Sequence, residues 1–367
     1  MKNFFSFFII FILLLVPKLG GSQESLDGWI QKESHIAREK LLQNISPSDA
    51  VRGVVIASPS KENPNYYYHW VRDAALVMDV VTTLYEKASN PTERLKYFNL
   101  LMDYVSFSRS NQETKTLTGL GEPKFNVDGS AFNDPWGRPQ DDGPALRAIA
   151  LIHFANLLLT QGQIVDFVKR KLYDGQFPTS SIIKADLEYV SHNWQNTSFD
   201  VWEEVKGHHF YTRMVQRKAL LQGANLADRL GDRSAAEWYR TQAYLLQNQI
   251  KNHWNPQKEI LVATLDRDGG LDYKTSGLDV TSILAILHGK TEDGFLPATD
   301  GRVLATAFSL QESFRKIYPI NQRENVPGVA IGRYPEDRYD GTPPLNGGHP
   351  WVLTTLAFAE LYFRVAD

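Results

Sequence analysis

The sequence contains no cysteine. Disulfides, thiolate metal sites and cysteine nucleophiles are thereby excluded, and a chain of 367 residues can be stable from its core alone. Charge of one sign is also scarce, with 39 Lys and Arg against 42 Asp and Glu and a formal net charge of −3. No basic cluster stands out, so nucleic acid is not an expected partner. Nothing resembles a phosphate-cradling Gly loop, an ordered Ser/His/Asp set or a His-rich cluster. His208-His209 is adjacent rather than at helical ligand spacing, and no metal or cofactor is expected. Long apolar runs are limited to one, Phe4 to Val16, preceded by Met1-Lys2-Asn3 and followed by Pro17-Lys18-Leu19-Gly20-Gly21-Ser22. It is too short to span a bilayer comfortably and reads as an export signal over residues 1–22, which predicts a secreted chain free of the membrane. A retained signal anchor is the alternative.

Strand alternation is scarce too, and helical periodicity dominates. It predicts helices over 25–44, 70–87, 92–109, 143–160, 180–194, 207–230, 233–252, 278–288, 302–317 and 350–366. Ala145 to Leu159 is apolar nearly all round, interrupted by Arg147, His153 and Asn156, so that helix must be buried on several sides. Arg233 to Asn252 carries many polar positions in an amphipathic pattern. Buried helices alternating with half-exposed ones imply an inner ring wrapped by an outer one.

The unusual residues recur with this alternation. Asp73, Asp142, Glu204, Asp279 and Pro350 mark the starts of alternate helices at intervals of 69, 62, 75 and 71 residues. One helical hairpin with its loops therefore recurs about every seventy residues, as a structural period rather than a sequence repeat. If those helices are parallel members of an inner ring, their N-terminal loops meet at one end and build a single pocket. Two helical domains are the alternative, but no Pro/Gly/Ser linker marks a boundary. The low-complexity stretch Gly341 to Gly348 reads as a loop before the last helix.

Pooling those loops collects Tyr66, Tyr67, Tyr68, His69, Trp70, Arg72, Asp73, Trp136, Arg138, Asp200, Trp202, Glu203, Glu204, Arg333, Asp337 and Trp351. Rings with polar tips suit the C–H faces of sugars, Arg and Asp suit vicinal hydroxyls, and carboxylates supply the acid and base of glycoside hydrolysis. In Asp200-Val201-Trp202-Glu203-Glu204 a large ring lies among carboxylates, an arrangement that raises a carboxyl pKa and keeps a proton donor available. The alternative is an ordinary acidic first turn of a helix. Arg72 with Asp73 reads equally as a buried ion pair or a substrate clamp, and Trp136 as a wall of the pocket or a core plug.

Several long motifs, in order, resemble the glucoamylase family, glycoside hydrolases of family fifteen. They are Asn65-Tyr66-Tyr67-Tyr68-His69-Trp70-Val71-Arg72-Asp73, Gly121-Glu122-Pro123-Lys124-Phe125-Asn126-Val127-Asp128, and Trp136-Gly137-Arg138-Pro139-Gln140-Asp141-Asp142-Gly143-Pro144-Ala145-Leu146-Arg147-Ala148. Asp200-Val201-Trp202-Glu203-Glu204-Val205 and Gly332-Arg333-Tyr334-Pro335-Glu336-Asp337 with Pro350-Trp351 complete the set. The resemblance covers nearly everything after the signal, as one domain over 23–367. It implies an all-α (α/α)6 barrel and an exo-acting, inverting hydrolase releasing β-D-glucose from non-reducing ends of starch, glycogen or maltooligosaccharides. It further implies Glu203 as general acid, with Tyr66, Trp70, Arg72, Asp73, Trp136, Asp200, Trp202, Glu204, Arg333 and Trp351 as binding and supporting residues. A monomer acting on an α-glucan is expected.

Adjacent residues of a helical turn point about 100° apart, so Glu203 and Glu204 should face different partners. Neighbouring negative charge should keep Glu203 protonated at mildly acidic pH. An inverting mechanism also needs a base roughly 6.5–9.5 Å from the acid. No segment carries the family's base motif, and the spacing accounts for about ten of twelve barrel helices. We therefore expect a chain truncated before the final hairpin, with apolar flanks of the first and last helices facing water. A glucan-binding protein without hydrolysis and another α-toroid hydrolase, trehalase-like or dextran-active, are the alternatives.

Overall fold

The computed structural model describes residues 25–162, 165–176, 179, 181–324, 328–339 and 348–367. The expected export signal, and all of the Gly341 to Gly348 loop but its last residue, lie outside the described residues. The chain divides into two units, Met1–Leu42 and Gln43–Asp367. The first contains nearly all of α1 (Leu26–Gln43), which has no buried residue.

The second unit carries α2 (Val71–Lys87), α3 (Pro91–Glu113), α4 (Asp142–Thr160), α5 (Val165–Lys171), α6 (Ile182–Asn193) and α7 (Phe210–Leu230). α8 (Arg233–Ile250), α9 (Thr281–His288), α10 (Gly301–Ile317) and α11 (Val352–Ala366) follow. α2 packs on α4, α4 on α7, α7 on α9 and α9 on α11, which is the expected inner series. α3, α6, α8 and α10 pack on its members as a second layer. The two layers differ as their sequences predict. α4 has the length and apolarity of a membrane span, yet most of it is buried in this core. Its one interior cation, Arg147, is tolerated because Asp186 of α6 takes it bidentately at 2.8 and 2.6 Å. α8 buries Ala235, Ala236, Tyr239, Gln242, Ala243, Leu246 and Ile250, one stripe at helical spacing, and leaves the opposite face to water. The expected apolar flank of the last helix is present, with Val352 77%, Leu356 61% and Phe363 74% exposed.

Helix starts follow local chemistry. Asn90 accepts from the Thr92 amide with Pro91 in the first turn of α3, and Asp232 and Asp300 cap α8 and α10 the same way. Two expectations fail. The short α5 was not anticipated, and the helix expected from residue 207 begins at Phe210. Val205–His209 is instead a strand. β1 (His69–Trp70) pairs with β2 (Lys124–Phe125), while β3 (Ser198–Phe199) pairs with β4 (Val205–His209). β5 (Trp254–Asn255) pairs with β6 (Ile260–Leu261), and β7 (Thr264–Gly270) lies on the other side of β4. The buried positions of β4 are Val205, Gly207 and His209, alternating as a strand requires. Only pairing with distant β7 reveals that pattern, since the local sequence runs straight into helix-forming residues.

Candidate active site

The starts of α2, α4, α7, α9 and α11 converge, and hydrogen bonds or ring contacts tie each to the next. The centre is the loop of the β3–β4 hairpin. The Asp200 amide donates to the Val205 carbonyl at 2.9 Å, leaving Val201 to Glu204 as the turn. Asp200 Oδ1 accepts from the amides of Glu204 and Val205 at 2.8 and 3.1 Å, which fixes the turn from inside. Glu203 sits at φ 67°, the left-handed region that costs a non-glycine residue energy and that tightly determined surroundings sustain. The expected helical first turn is therefore wrong. Glu203 and Glu204 do face different partners, but because of this turn and not because of helical rotation.

Glu203 Oε1 accepts from Trp70 Nε1 at 2.7 Å and from Gln140 Nε2 at 3.0 Å. Arg72 Nη2 lies 4.0 Å from the same oxygen. Among the described residues Oε2 makes no hydrogen bond, so it is the oxygen free to carry a transferable proton. Arg72 Nη1 also donates to Gln140 Oε1 at 2.8 Å and Asp142 Oδ2 at 3.0 Å, and its Nε lies 3.5 Å from Asp73. Burial opposes the Arg72 charge, but Asp142, Asp73 and Glu203 hold it above the usual guanidinium range. Half-buried Asp73 is pushed up by desolvation and, against Arg72, by Glu203 and Asp142.

Glu204 turns the other way. Its Oε1 meets Arg333 Nη2 at 2.8 Å and its Oε2 accepts from the Tyr334 hydroxyl at 2.8 Å. Desolvation raises its carboxyl pKa, with Arg333 and Lys274 opposing. Arg333 is also held bidentately by Asp337 at 2.8 and 2.6 Å, and its guanidinium lies 5.1–5.4 Å from the rings of Trp202, Tyr334, Tyr339 and Trp351. Behind the turn, Lys274 Nζ bridges Asp200 at 3.1 Å and Asp279 at 2.6 Å, and Asp279 accepts from Trp202 Nε1 at 3.0 Å. Burial would raise Asp200, but Lys274, His209 and the two amides hold it below the ordinary carboxylate range. Gly270 backs this turn at φ 84°, and a Cβ there would meet the Glu204 carbonyl oxygen at 2.1 Å.

Trp136 stands at the rim, 39% exposed. It approaches Glu203 through rings, 6.2 Å from Trp70 and 5.7 Å from Phe132, and not through a hydrogen bond. Gly137 lets its loop lie against Glu203, since a Cβ would meet the Glu203 carbonyl oxygen at 2.8 Å. Tyr66 closes the opposite rim, its hydroxyl 2.5 Å from that of Tyr339. A cavity of about 510 Å³ lined by Tyr318, Pro319, His349 and Pro350 touches this set only at Asp337.

Residues 35–366 match the family Glycosyl hydrolases family 15. The chain belongs to that family. Among its curated relatives, the glucoamylase of Blastobotrys adeninivorans is 40% identical over 93% of this chain and 56% of its own length. Glucoamylase 1 of Rhizopus oryzae is 42% identical over 93% and 55%. The chain thus spans about half the length of the curated relatives it matches. The solved glucoamylase from Saccharomycopsis fibuligera superposes with a TM-score of 0.82 at 32% identity, covering 93% of this chain and 73% of that one. The family 15 glucoamylase from Hypocrea jecorina gives 0.81 at 32%, covering 93% and 56%. The fold is the all-α (α/α)6 barrel of these family 15 structures, here with eleven helices among the described residues rather than the ten expected.

Most residues singled out from sequence lie in this family 15 cluster, with Trp202 and Trp351 in ring contact at 5.9 Å. Three do not: Arg138 is taken by Glu122 at 2.9 Å, Tyr67 donates to Asp49, and buried His69 accepts the Val55 amide at 3.0 Å. Sequence reasoning missed Gln140 and Lys274. Gln140 sat unread inside a quoted motif. Lys274 carries no local signal, since its meaning lies in Asp200 and Asp279, brought to it by the fold.

Proposed function

We propose that this chain carries the proton-donor side of an exo-acting, inverting glucan 1,4-alpha-glucosidase, taking β-D-glucose from the non-reducing ends of starch, glycogen or maltooligosaccharides. One observation supports this above others. Glu203 has one oxygen held by two N–H donors and the other free, beside Arg72 and Asp73 and walled by Trp70 and Tyr66. In this reading Oε2 gives its proton to the glycosidic oxygen, and Trp70, Gln140 and Arg72 meet the charge left on the carboxylate. Arg72 and Asp73 take hydroxyls of the terminal glucose. Glu204, Arg333 and Trp351 border the next sugar, with Asp200, Trp202 and Trp136 holding the walls. No residue among those described is assigned the water-activating role.

A second reading, which the same sugar-facing residues would serve, is a protein that binds glucan ends without cleaving them. Glucose release from maltotriose, together with calorimetric binding of maltose and of acarbose, separates the two. Turnover abolished in Glu203→Gln supports the first, tight binding without turnover supports the second, and neither binding nor turnover overturns both. We further propose that the protein acts as a monomer without cofactor and is exported after loss of residues 1–22. A mature N-terminus near residue 23, read by mass spectrometry of the secreted protein, is the expected outcome.

A further inference from the structure

The motif Gly121 to Asp128 contains a cation that no step above employs. Lys124 lies opposite Trp70 in the β1–β2 ladder, so the strand pairing itself sets the two side chains beside each other. It is 1% exposed. Its Nζ lies 3.2 Å from the ring centroid of Trp136, 3.9 Å from Phe132, and 4.5 Å from both Tyr68 and Trp70. Among the described residues Nζ makes no hydrogen bond and no ion pair. Every other buried lysine in the second unit is differently placed. Lys184 is neutralised by Asp232 and Lys274 by Asp200 and Asp279.

A buried ammonium without a carboxylate is costly, and aromatic faces compensate only in part. Burial and then Arg138 push Lys124 down to about 8, while Glu203 first and Asp134 next work to keep it charged. Glu203 is therefore the acidic group that acts on it most. The two tryptophans it touches are the one that donates to Glu203 Oε1 and the one at the rim above it.

We propose that Lys124 is a positioning residue for Glu203, bracing the Trp70 and Trp136 indoles and setting positive charge toward the carboxylate that forms when the acid gives up its proton. This rests on Glu203 being the proton donor, but it can be tested without turnover. The other groups acting on Glu203 are Arg72, Trp70 and Gln140 by contact, and Tyr66 and Asp73 through their charge coupling. None of them changes in the variants below.

The test follows the Glu203 carboxyl by carbon-13 NMR in the protein as it stands, with Glu203→Gln identifying the resonance. In Lys124→Met the titration midpoint of Glu203 should rise by about one pH unit, because a neighbouring cation that favours the ionised form is gone. Lys124→Arg should hold it within a few tenths. Near-UV circular dichroism confirms that the rings remain packed. An unmoved midpoint in a packed Lys124→Met, or equal shifts in both variants, overturns the proposal. Should Lys124→Met not fold, tryptophan fluorescence of the unaltered chain decides. A transition near pH 8 that Lys124→Arg abolishes supports a cation on the two indoles, and its absence overturns one. Glucose release is measured separately, so an inactive chain refutes the reading of function and leaves this result standing.

Discussion

Glu203 and Glu204 are neighbours in sequence and opposites in surroundings. On the Glu203 side the contacts are neutral N–H donors and a guanidinium at the edge of reach, and the lysine beside Trp70 and Trp136 is held only by rings. On the Glu204 side Arg333 is saturated by two carboxylates, and Lys274 by two more behind it. A group with a free oxygen among neutral donors can change its protonation at little cost to the structure. One locked into an ion network cannot, since removing either partner strands a buried charge. The difference supports the proposal that the first carboxylate donates a proton and the second holds the substrate-facing wall in place.

The sharpest way to break this contrast is to neutralise each carboxylate in turn. Glu203→Gln should cost glucose release about a thousandfold or more while leaving maltose affinity within a few fold. Glu204→Gln should chiefly weaken binding. Equal losses would erase the distinction. Next, Arg333→Met should lower unfolding stability by about 3–5 kcal/mol in urea melts, since it abandons Glu204 and Asp337 together. A stability change below about 1 kcal/mol would show that the network is not structural. Gly137→Ala should then reduce glucose release by about a hundredfold with a small stability change, because its new methyl would push on the Glu203 carbonyl and displace the acid by a fraction of an ångström.

A further effect is in pH. His69, next to Trp70, accepts the Val55 amide, and burial lowers it from 6.5 to about 3. The unfolded chain therefore takes up a proton that the native state refuses, and stability present above about pH 6.5 declines as pH falls toward 3, by about 1.4 kcal/mol per unit. Depressed Asp200 adds its loss only below its ordinary value of 3.8. His253 and His288 are lowered in the same way, while Asp141, raised to about 7, works in the opposite sense. The His69 share is therefore read as a difference: in urea melts at pH 7, 6, 5 and 4, His69→Gln, which keeps an acceptor for Val55, should reduce the slope by about 1.4 kcal/mol per unit. An unchanged slope in the variant would move the effect to other groups.

What could be read in the sequence follows from how far each signal reaches. The inner and outer helices were legible because periodic burial is written within a few turns, as in α4 and α8. The shared pocket was legible because its aromatic and charged residues recur with the helical hairpins. The β3–β4 hairpin was not, since its pairing with β7 joins segments some sixty residues apart. Glu203 looked helical for the same reason. Nothing local distinguishes an acidic first turn from a four-residue loop closed by Asp200. Lys274 was invisible because its two carboxylates are distant in the chain.

That loop has a consequence for how the protein can vary. Asp200 measures the distance to Glu204 and Val205 by their amides, and strand pairing fixes both ends. Adding or deleting one residue between them would shift the register and carry Glu203 away from Trp70. Drift at this point can exchange side chains but cannot change length, so natural or designed diversity must enter through the neighbouring loops.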